Sequence, residues 1–160
     1  MALKKGDKVP STQLMRMTAD GPAPISTDDI FKGKKVVLFA LPGAFTPLCS
    51  AQHLPGFIKN ADAIKGKGVD SIVCLSVNDA FVMGAWGEQQ GAGDKILLAA
   101  DGNAEFTKAM GLEMDGSGFG MGTRSQRYAM IVNDGVIEHI GVEEGRNFEA
   151  SKAETILEKL

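Results

Sequence analysis

Residues 36–54 read VVLFALPGAFTPLCSAQHL and join an apolar run to a Pro/Gly turn and then to a helix start. Residues 36–41 are apolar, follow two lysines and end at Pro42, a pattern typical of a strand buried on both faces of a parallel sheet. Thr46 suits the N-cap of the helix that follows. Pro47 suits its first position, because the N–H that proline lacks would be unpaired there. The stretch therefore predicts a strand, a turn and a helix with a cysteine in its first turn.

Cys49 is that cysteine, and its expected position favours reactivity. Aligned peptide dipoles and free N–H groups at a helix N-terminus stabilise the thiolate, which is the nucleophilic form of cysteine. Thr46 precedes it by three residues and can place a hydroxyl beside the sulfur. The alternative is a structural cysteine, a residue type that is often fully buried.

Residues 42–50, PGAFTPLCS, resemble the Pro-x-x-x-Thr-x-x-Cys signature of the peroxiredoxin family, in the form found in its type II (atypical, five-like) subgroup. Leu48 departs from the small polar residue often found at that position, but the three signature residues are intact. The resemblance covers nearly the whole chain. It extends over residues 53–57, 76–86 and 124–130.

The order of predicted elements resembles a thioredoxin-like α/β fold, with a central mixed β-sheet flanked by helices and an N-terminal β extension. Residues 12–17 predict one strand of an N-terminal hairpin or edge pair, and GPAPIS at 21–26 predicts the turn after it. Pro55 and Gly56 are expected to kink or interrupt the helix after Cys49. Further strands are predicted at 69–77, 95–100, 127–132 and 136–142, helices at 57–65, 80–90, 104–110 and 147–160, and a flexible surface loop at 115–123.

Composition is that of an ordinary globular protein. The 160 residues are 44% hydrophobic and 23% charged, with a net charge of −3, which predicts one domain over residues 1–160 and no nucleic-acid partner. The N-terminus has no apolar signal segment and no run approaches about 18 apolar residues, so we expect no membrane partner. We expect a cytoplasmic protein, or the mature form of an organellar one.

Two cysteines and two histidines restrict the possible chemistry. Two cysteines are too few for a secreted disulfide framework, and the chain has no CxxC or HxxxH spacing that would favour zinc. We therefore expect thiol chemistry in a reducing compartment and no zinc site, and the resemblance implies a reaction without metal, haem or another cofactor.

The resemblance implies a thiol-dependent peroxidase acting on hydrogen peroxide and organic hydroperoxides. Cys49 would attack the nearer peroxide oxygen, release water or an alcohol and become a sulfenic acid. Pro42, Gly43 and Thr46, with free N–H groups of the first helical turn, would bind the peroxide. An arginine should stabilise both the thiolate and the charge on the departing oxygen.

Arg124 and Arg127 are the two candidates for this arginine. Three positions apart on a regular strand, they would point to opposite faces, so both could not reach one sulfur. The resemblance favours Arg127, which leaves Arg124 to the pocket rim, a dimer contact or the plain surface. His53 follows Cys49 by four residues and shares its face on a regular helix. Because a helix N-terminus and an arginine already suffice to ionise the thiol, we assign His53 a supporting or packing role rather than that of a general base.

The reduction of the sulfenic acid has two possible routes. Cys74 lies 25 residues after Cys49, an offset that resembles plant-type members of the subgroup in which the second cysteine is the resolving one. A disulfide requires Cα atoms within about 7 Å, so a cysteine in mid-strand would need the Cys49 helix to unfold locally. The other route is attack by glutathione, glutaredoxin or thioredoxin, with Cys74 a buried small residue.

Two rival functions are weaker. A redox sensor or holdase-type binding protein could use Cys49 without turnover, but it would need neither Thr46 nor Arg127. A disulfide oxidoreductase is disfavoured by the missing CxxC. The family resemblance also implies a homodimer, with candidate contacts at Phe45, Phe81, Phe119 and Met121.

Overall fold

The computed structural model describes residues 2–160 and contains a seven-stranded mixed sheet with strand order β2-β1-β5-β4-β3-β8-β9. Strands β3, β4 and β5 are parallel, and every other pairing in this sheet is antiparallel. A separate ribbon pairs β6 with β7. The strands are β1 Gln13–Thr18, β2 Gly21–Ser26, β3 Lys35–Ala40, β4 Ser71–Ser76, β5 Leu97–Ala100, β6 Glu113–Asp115, β7 Thr123–Ser125, β8 Tyr128–Asn133 and β9 Val136–Val142.

Helices cover both faces of the sheet and form two cores. They are α1 Thr27–Phe31, α2 Leu54–Lys59, α3 Ala61–Gly66, α4 Ala80–Gln90, α5 Glu105–Met110 and α6 Ala153–Lys159. Helices α2, α3, α4 and α6 contribute to one core, and α1 and α5 contribute to the other. No helix within residues 2–160 has the length and apolar character needed to cross a bilayer.

Strand β3 lies between β4 and β8 and separates the two cores. Val37 and Phe39 point into the core that contains Cys49, whereas Val36 and Leu38 point into the opposite one. This alternation explains the continuous apolar run, because both faces of the strand are covered. The expected mixed sheet with flanking helices and an N-terminal β extension is confirmed.

The N-terminal extension differs from the prediction in one respect. GPAPIS is strand β2 itself and not a turn, since it pairs with β1 along its whole length from Gln13↔Ser26 to Thr18↔Gly21. Two prolines are tolerated because β2 is the edge strand of the sheet, where a missing N–H costs no ladder hydrogen bond.

The helix that holds Cys49 is continuous through Pro55, so the predicted kink or interruption is replaced by a local distortion just before the proline. It starts at Pro47, widens to a π-helical turn over Cys49–His53 and continues as α2 until Asn60 separates it from α3. In the wide turn the Leu54 N–H donates to the Cys49 carbonyl, five residues earlier. A proline in a regular helix clashes with the carbonyl four residues before it, and the wider turn relieves that clash.

One further prediction was wrong in extent. The C-terminal helix is only α6, Ala153–Lys159, because residues 149–151 form a turn held by a side chain rather than helix. The glycine-rich segment 115–123, predicted as a flexible surface loop, connects the two strands of the hairpin in which Glu113 pairs with Ser125 and Asp115 with Thr123, and its Phe119 side chain is exposed.

Candidate active site

Cys49 lies just beyond the carboxyl end of β3, in the first turns of the following helix, and is fully buried. The connecting loop is fixed from both sides. Leu41 donates its N–H to the Leu75 carbonyl at 3.2 Å, and Ala44 donates to Oδ1 of Asn78 at 3.0 Å. Phe45 adopts a left-handed backbone conformation, φ 64°, that brings the loop round into the helix. The sulfur therefore sits on a rigid support.

Thr46 occupies the N-cap position, but its hydroxyl does not cap the helix as the sequence suggested. It donates to the Gly43 carbonyl at 2.6 Å. Because this bond uses the hydroxyl proton, the lone pairs of Oγ1 are left to accept from another donor. Gly43 itself is tightly placed, since a Cβ there would lie 2.7 Å from Nη1 of Arg124.

The two candidate arginines have different hydrogen-bond partners in the structure. Arg127 lies between β7 and β8 and donates from Nη2 to the Cys49 sulfur at 3.1 Å. Arg124 lies on β7 and donates to the Pro42 carbonyl at 3.2 Å and to the Met121 carbonyl at 3.0 Å. Arg124 thus connects the loop before Cys49 to the segment that joins β6 and β7, whereas Arg127 places its positive charge beside the Cys49 sulfur.

His53 connects Arg127 to the C-terminal part of the chain. Its Nδ1 lies 2.8 Å from Nη1 of Arg127, and its Nε2 lies 3.0 Å from the Ser151 carbonyl. A guanidinium can only donate, so Nδ1 is the acceptor, and Nε2 must carry the proton that it donates to Ser151. Both ring nitrogens are therefore occupied, which leaves no lone pair to act as a base toward Cys49.

The surroundings of His53 keep its ring neutral. The side chain is fully buried and lies among aromatic rings, at centroid distances of 5.0 Å from Phe39, 5.7 Å from Phe57 and 5.2 Å from Phe148. Burial, followed by the charge of Arg127, lowers the pKa of His53 to about 3, against a smaller opposing effect of the bond to Ser151. An acceptor of this kind orients Arg127 without adding charge.

Cys74 lies on β4, which is paired on both sides, and its Cα is in register with Phe39 of β3. The thiol is fully buried in the core that also contains Cys49, and both cysteines are free. Burial raises the pKa of the Cys74 thiol well above its ordinary value, with a further contribution from Cys49 and partial opposition from Arg127. Cys74 is therefore a protonated, weakly nucleophilic thiol at neutral pH.

Several residues of this region were not identified from the sequence. Trp86 on α4 donates from Nε1 to the Ser50 hydroxyl at 3.0 Å, directly beside Cys49. Glu143 accepts four hydrogen bonds from the turn that contains Ser151. Neither residue has a local sequence signal. Trp86 occupies an apolar helix position, which predicts core packing, and Glu143 is one of two adjacent glutamates in a polar segment, which predicts the surface.

Fold and site together define a thiol-based oxidoreductase with a thioredoxin-like fold. The Redoxin family model matches residues 4–157. Peroxiredoxin-2E-2, chloroplastic, of Oryza sativa subsp. japonica is 51% identical over 160 residues, covering 97% of this chain and 71% of that protein. A peroxiredoxin of Synechocystis is 49% identical over 167 residues, covering 94% and 88%. Reduced Prx3 from Vibrio vulnificus in complex with H2O2 is 55% identical, with 98% of each chain covered and a TM-score of 0.94.

The chain therefore belongs to the redoxin family, within which it is a peroxiredoxin of type II, an oxidoreductase that reduces peroxides at the expense of thiols. This confirms the family, the fold and the enzyme class expected from the sequence.

Proposed function

We propose that Cys49 is the peroxidatic nucleophile and that Arg127 is its electrostatic partner. The observation that carries this proposal is the donation from Nη2 of Arg127 to the Cys49 sulfur at 3.1 Å in a fully buried setting. A fixed cation 3.1 Å from the buried sulfur is placed to stabilise the negative charge that shifts from sulfur to oxygen during the reaction.

The reaction follows from this arrangement. The thiolate attacks the terminal oxygen of the peroxide, the S–O bond forms and the O–O bond breaks. The departing oxygen carries the electron pair away and takes up a proton, leaving as water or an alcohol, while Cys49 becomes a sulfenic acid. Negative charge moves from sulfur to the departing oxygen in this step, so the donors of Arg127 are needed most in the transition state.

Thr46 is proposed to bind the peroxide. Its hydroxyl proton is already donated to Gly43, so its oxygen is free to accept the proton of an incoming peroxide. Pro42 and Gly43 form the adjoining wall of the loop, held in place through the bond from Arg124 to the Pro42 carbonyl. The hydrogen peroxide bound to the Vibrio vulnificus relative supports this substrate class.

The electrons for the next cycle are proposed to come from an external thiol, either glutathione with glutaredoxin or thioredoxin. Cys74 is protonated, fully buried and held in a strand that is paired on both sides, which makes it a poor attacking group. Attack by an external thiolate on the sulfenic acid releases water and forms a mixed disulfide, and a second thiol then restores Cys49. Such chemistry suits a reducing compartment, and we propose the cytoplasm, or an organelle for a processed form.

A homodimer is proposed from the exposed aromatic side chains. The exposed fractions are 50% for Phe45, 66% for Phe81 and 84% for Phe119. Met121 lies near the loop before Cys49, where its methyl carbon is 3.7 Å from a Cβ built on Gly43. Exposed large apolar groups in this number are typical of an interface. Phe81→Asp should shift the mass measured by sedimentation towards the monomer, and an unchanged mass would count against this surface.

Stopped-flow mixing of the reduced protein with stoichiometric hydrogen peroxide tests the central proposal. Trp86 is the chain's single tryptophan and contacts Ser50, so its fluorescence should report oxidation at Cys49. We expect a fast phase in the wild type, a gain of one oxygen in intact mass and neither signal in Cys49→Ser. A wild-type rate no faster than that of free cysteine would exclude the peroxidase and leave the sensor function.

A further inference from the structure

A turn near the C-terminus is built around a single carboxylate. Glu143 is 9% exposed, and both of its side-chain oxygens accept hydrogen bonds from residues 149–151. Its Oε2 accepts from the Glu149 N–H at 2.9 Å, the Ser151 N–H at 2.8 Å and the Ser151 hydroxyl at 2.5 Å, and its Oε1 accepts from the Ala150 N–H at 3.2 Å. Bonds to an ionised acceptor are roughly twice as strong as neutral ones.

The same residue is tied to Arg127. Glu143 follows β9 directly and donates its own N–H to the Arg127 carbonyl at 2.9 Å. Through the turn it also fixes the Ser151 carbonyl, which accepts from His53, which in turn accepts from the Arg127 guanidinium. Glu143 thus restrains both the backbone and the side-chain end of the arginine.

Packing restrains the turn independently of the carboxylate. A Cβ built on Gly141 of β9 would lie 2.7 Å from the Ala150 carbonyl oxygen, a distance that real Cβ atoms do not adopt. Glycine at position 141 therefore allows the 149–151 turn to pack closely against β9. The carboxylate remains ionised at neutral pH, since the hydrogen bonds from Ser151, Glu149 and Ala150 outweigh burial and lower the pKa of Glu143.

We propose that Glu143 is a positioning residue for the reaction of Cys49. By holding the 149–151 turn it fixes the chain of contacts from Ser151 through His53 to Arg127, and so the placement of Nη2 against the sulfur. The inference rests on the proposed function of Cys49 and Arg127. It extends the functional region to a residue that touches neither the sulfur nor the peroxide.

Three readouts on Glu143→Ala test the inference. They are the stopped-flow rate with hydrogen peroxide, the rate at which iodoacetamide alkylates Cys49 at pH 7, followed by peptide mass, and the Tm. We expect both rates to fall about 10- to 100-fold, because displacements of about 1 Å in supporting contacts have effects of that order. Glu143→Gln keeps an acceptor for part of the turn and should give intermediate rates. Glu144→Ala, at the exposed neighbouring glutamate, is the matched control and should stay near wild type.

A purely structural role for Glu143 would lower the Tm and leave both rates of the folded variant unchanged, which would overturn the inference. If Glu143→Ala does not fold, Gly141→Ala provides the second perturbation, since its methyl must push the Ala150 carbonyl away. Wild-type rates in that variant would also overturn it. A wild type without a fast peroxide reaction, combined with slower alkylation in Glu143→Ala, would refute the peroxidase proposal and retain the positioning role.

Discussion

Arg127 donates to Nδ1 of His53 across 2.8 Å, and the same guanidinium reaches the Cys49 sulfur with its other terminal nitrogen at 3.1 Å. The neutral ring of His53 and the sulfur of Cys49 thus both accept hydrogen bonds from the Arg127 guanidinium. Because the His53 ring is neutral, its Nδ1 fixes the orientation of the planar guanidinium without neutralising the positive charge of Arg127. The geometry of the sulfur therefore depends on residues that never touch it.

Replacement of Arg127 by lysine tests the need for two donors. The lysine ammonium is a single point charge, so it cannot bond to His53 and Cys49 with the spacing of a fork. Loss of one donor at a developing charge lowers rates on the order of 100-fold. We expect a decrease of that size in the stopped-flow rate with hydrogen peroxide. Arg16→Lys, on the exposed surface of β1, is the control, and equal rates in the two variants would refute the role of the fork.

Two substitutions of His53 separate its two hydrogen bonds. An asparagine places its amide oxygen near the position of Nδ1, and a glutamine places its amide nitrogen near that of Nε2. His53→Asn should therefore keep the bond to Arg127 and react with peroxide faster than His53→Gln, which keeps the bond to Ser151 instead. Stopped-flow rates of the two variants with hydrogen peroxide test this expected order. The reverse order would show that Ser151 has the larger effect.

The buried neutral ring of His53 also predicts how stability depends on pH. Its pKa is about 3 in the folded protein and 6.5 in the unfolded chain, so the unfolded state binds more protons between these values. Stability is complete above pH 6.5 and decreases as the pH falls towards 3. This group alone should lower the free energy of unfolding by about 2 kcal/mol between pH 7 and pH 5.

Urea unfolding of the wild type and of His53→Asn at both pH values isolates this effect. His139, the other histidine, also has a pKa lowered by burial and by Lys159 and Lys5, and it is present in both proteins. The decrease between pH 7 and pH 5 should therefore be smaller in the variant by about 2 kcal/mol. Equal decreases would mean that His53 becomes protonated in the folded protein.

Much of the fold followed from local patterns. The run at 36–41 predicted an interior strand because both faces of β3 are covered, and this was correct to within one residue, since β3 is Lys35–Ala40. The pattern failed where tertiary contacts overrode local preference. GPAPIS became a strand because an edge position tolerates proline, and the helix continued through Pro55 because a π-helical turn absorbed the clash.

Within the candidate site, the contiguous residues followed from a motif, whereas distant residues followed from the family resemblance or were not predicted. Pro42, Thr46 and Cys49 belong to one nine-residue motif, and Arg127 was selected through resemblance. Glu143 could not be found this way, because its importance comes from bonds to a turn that follows it and from a strand neighbour. The wide helical turn that brings His53 to Arg127 likewise has no signature except Pro55, which predicted a kink or interruption but not a widened turn.

The last prediction concerns Cys74, for which a pair of substitutions separates packing from chemistry. Cys74→Ala removes a small buried group, whereas Cys74→Ser buries a hydroxyl in an apolar core, so serine should be the less stable variant by about 1–3 kcal/mol. If an external thiol reduces the sulfenic acid, both variants should react with peroxide and turn over with glutathione and glutaredoxin, or with thioredoxin, at wild-type rates. Intact mass should show a sulfenic acid in all three proteins when the reductant is omitted. A wild type that instead loses two hydrogens, while Cys74→Ala stops at the sulfenic acid, would make Cys74 the resolving cysteine and would require β4 or the Cys49 helix to open during each cycle.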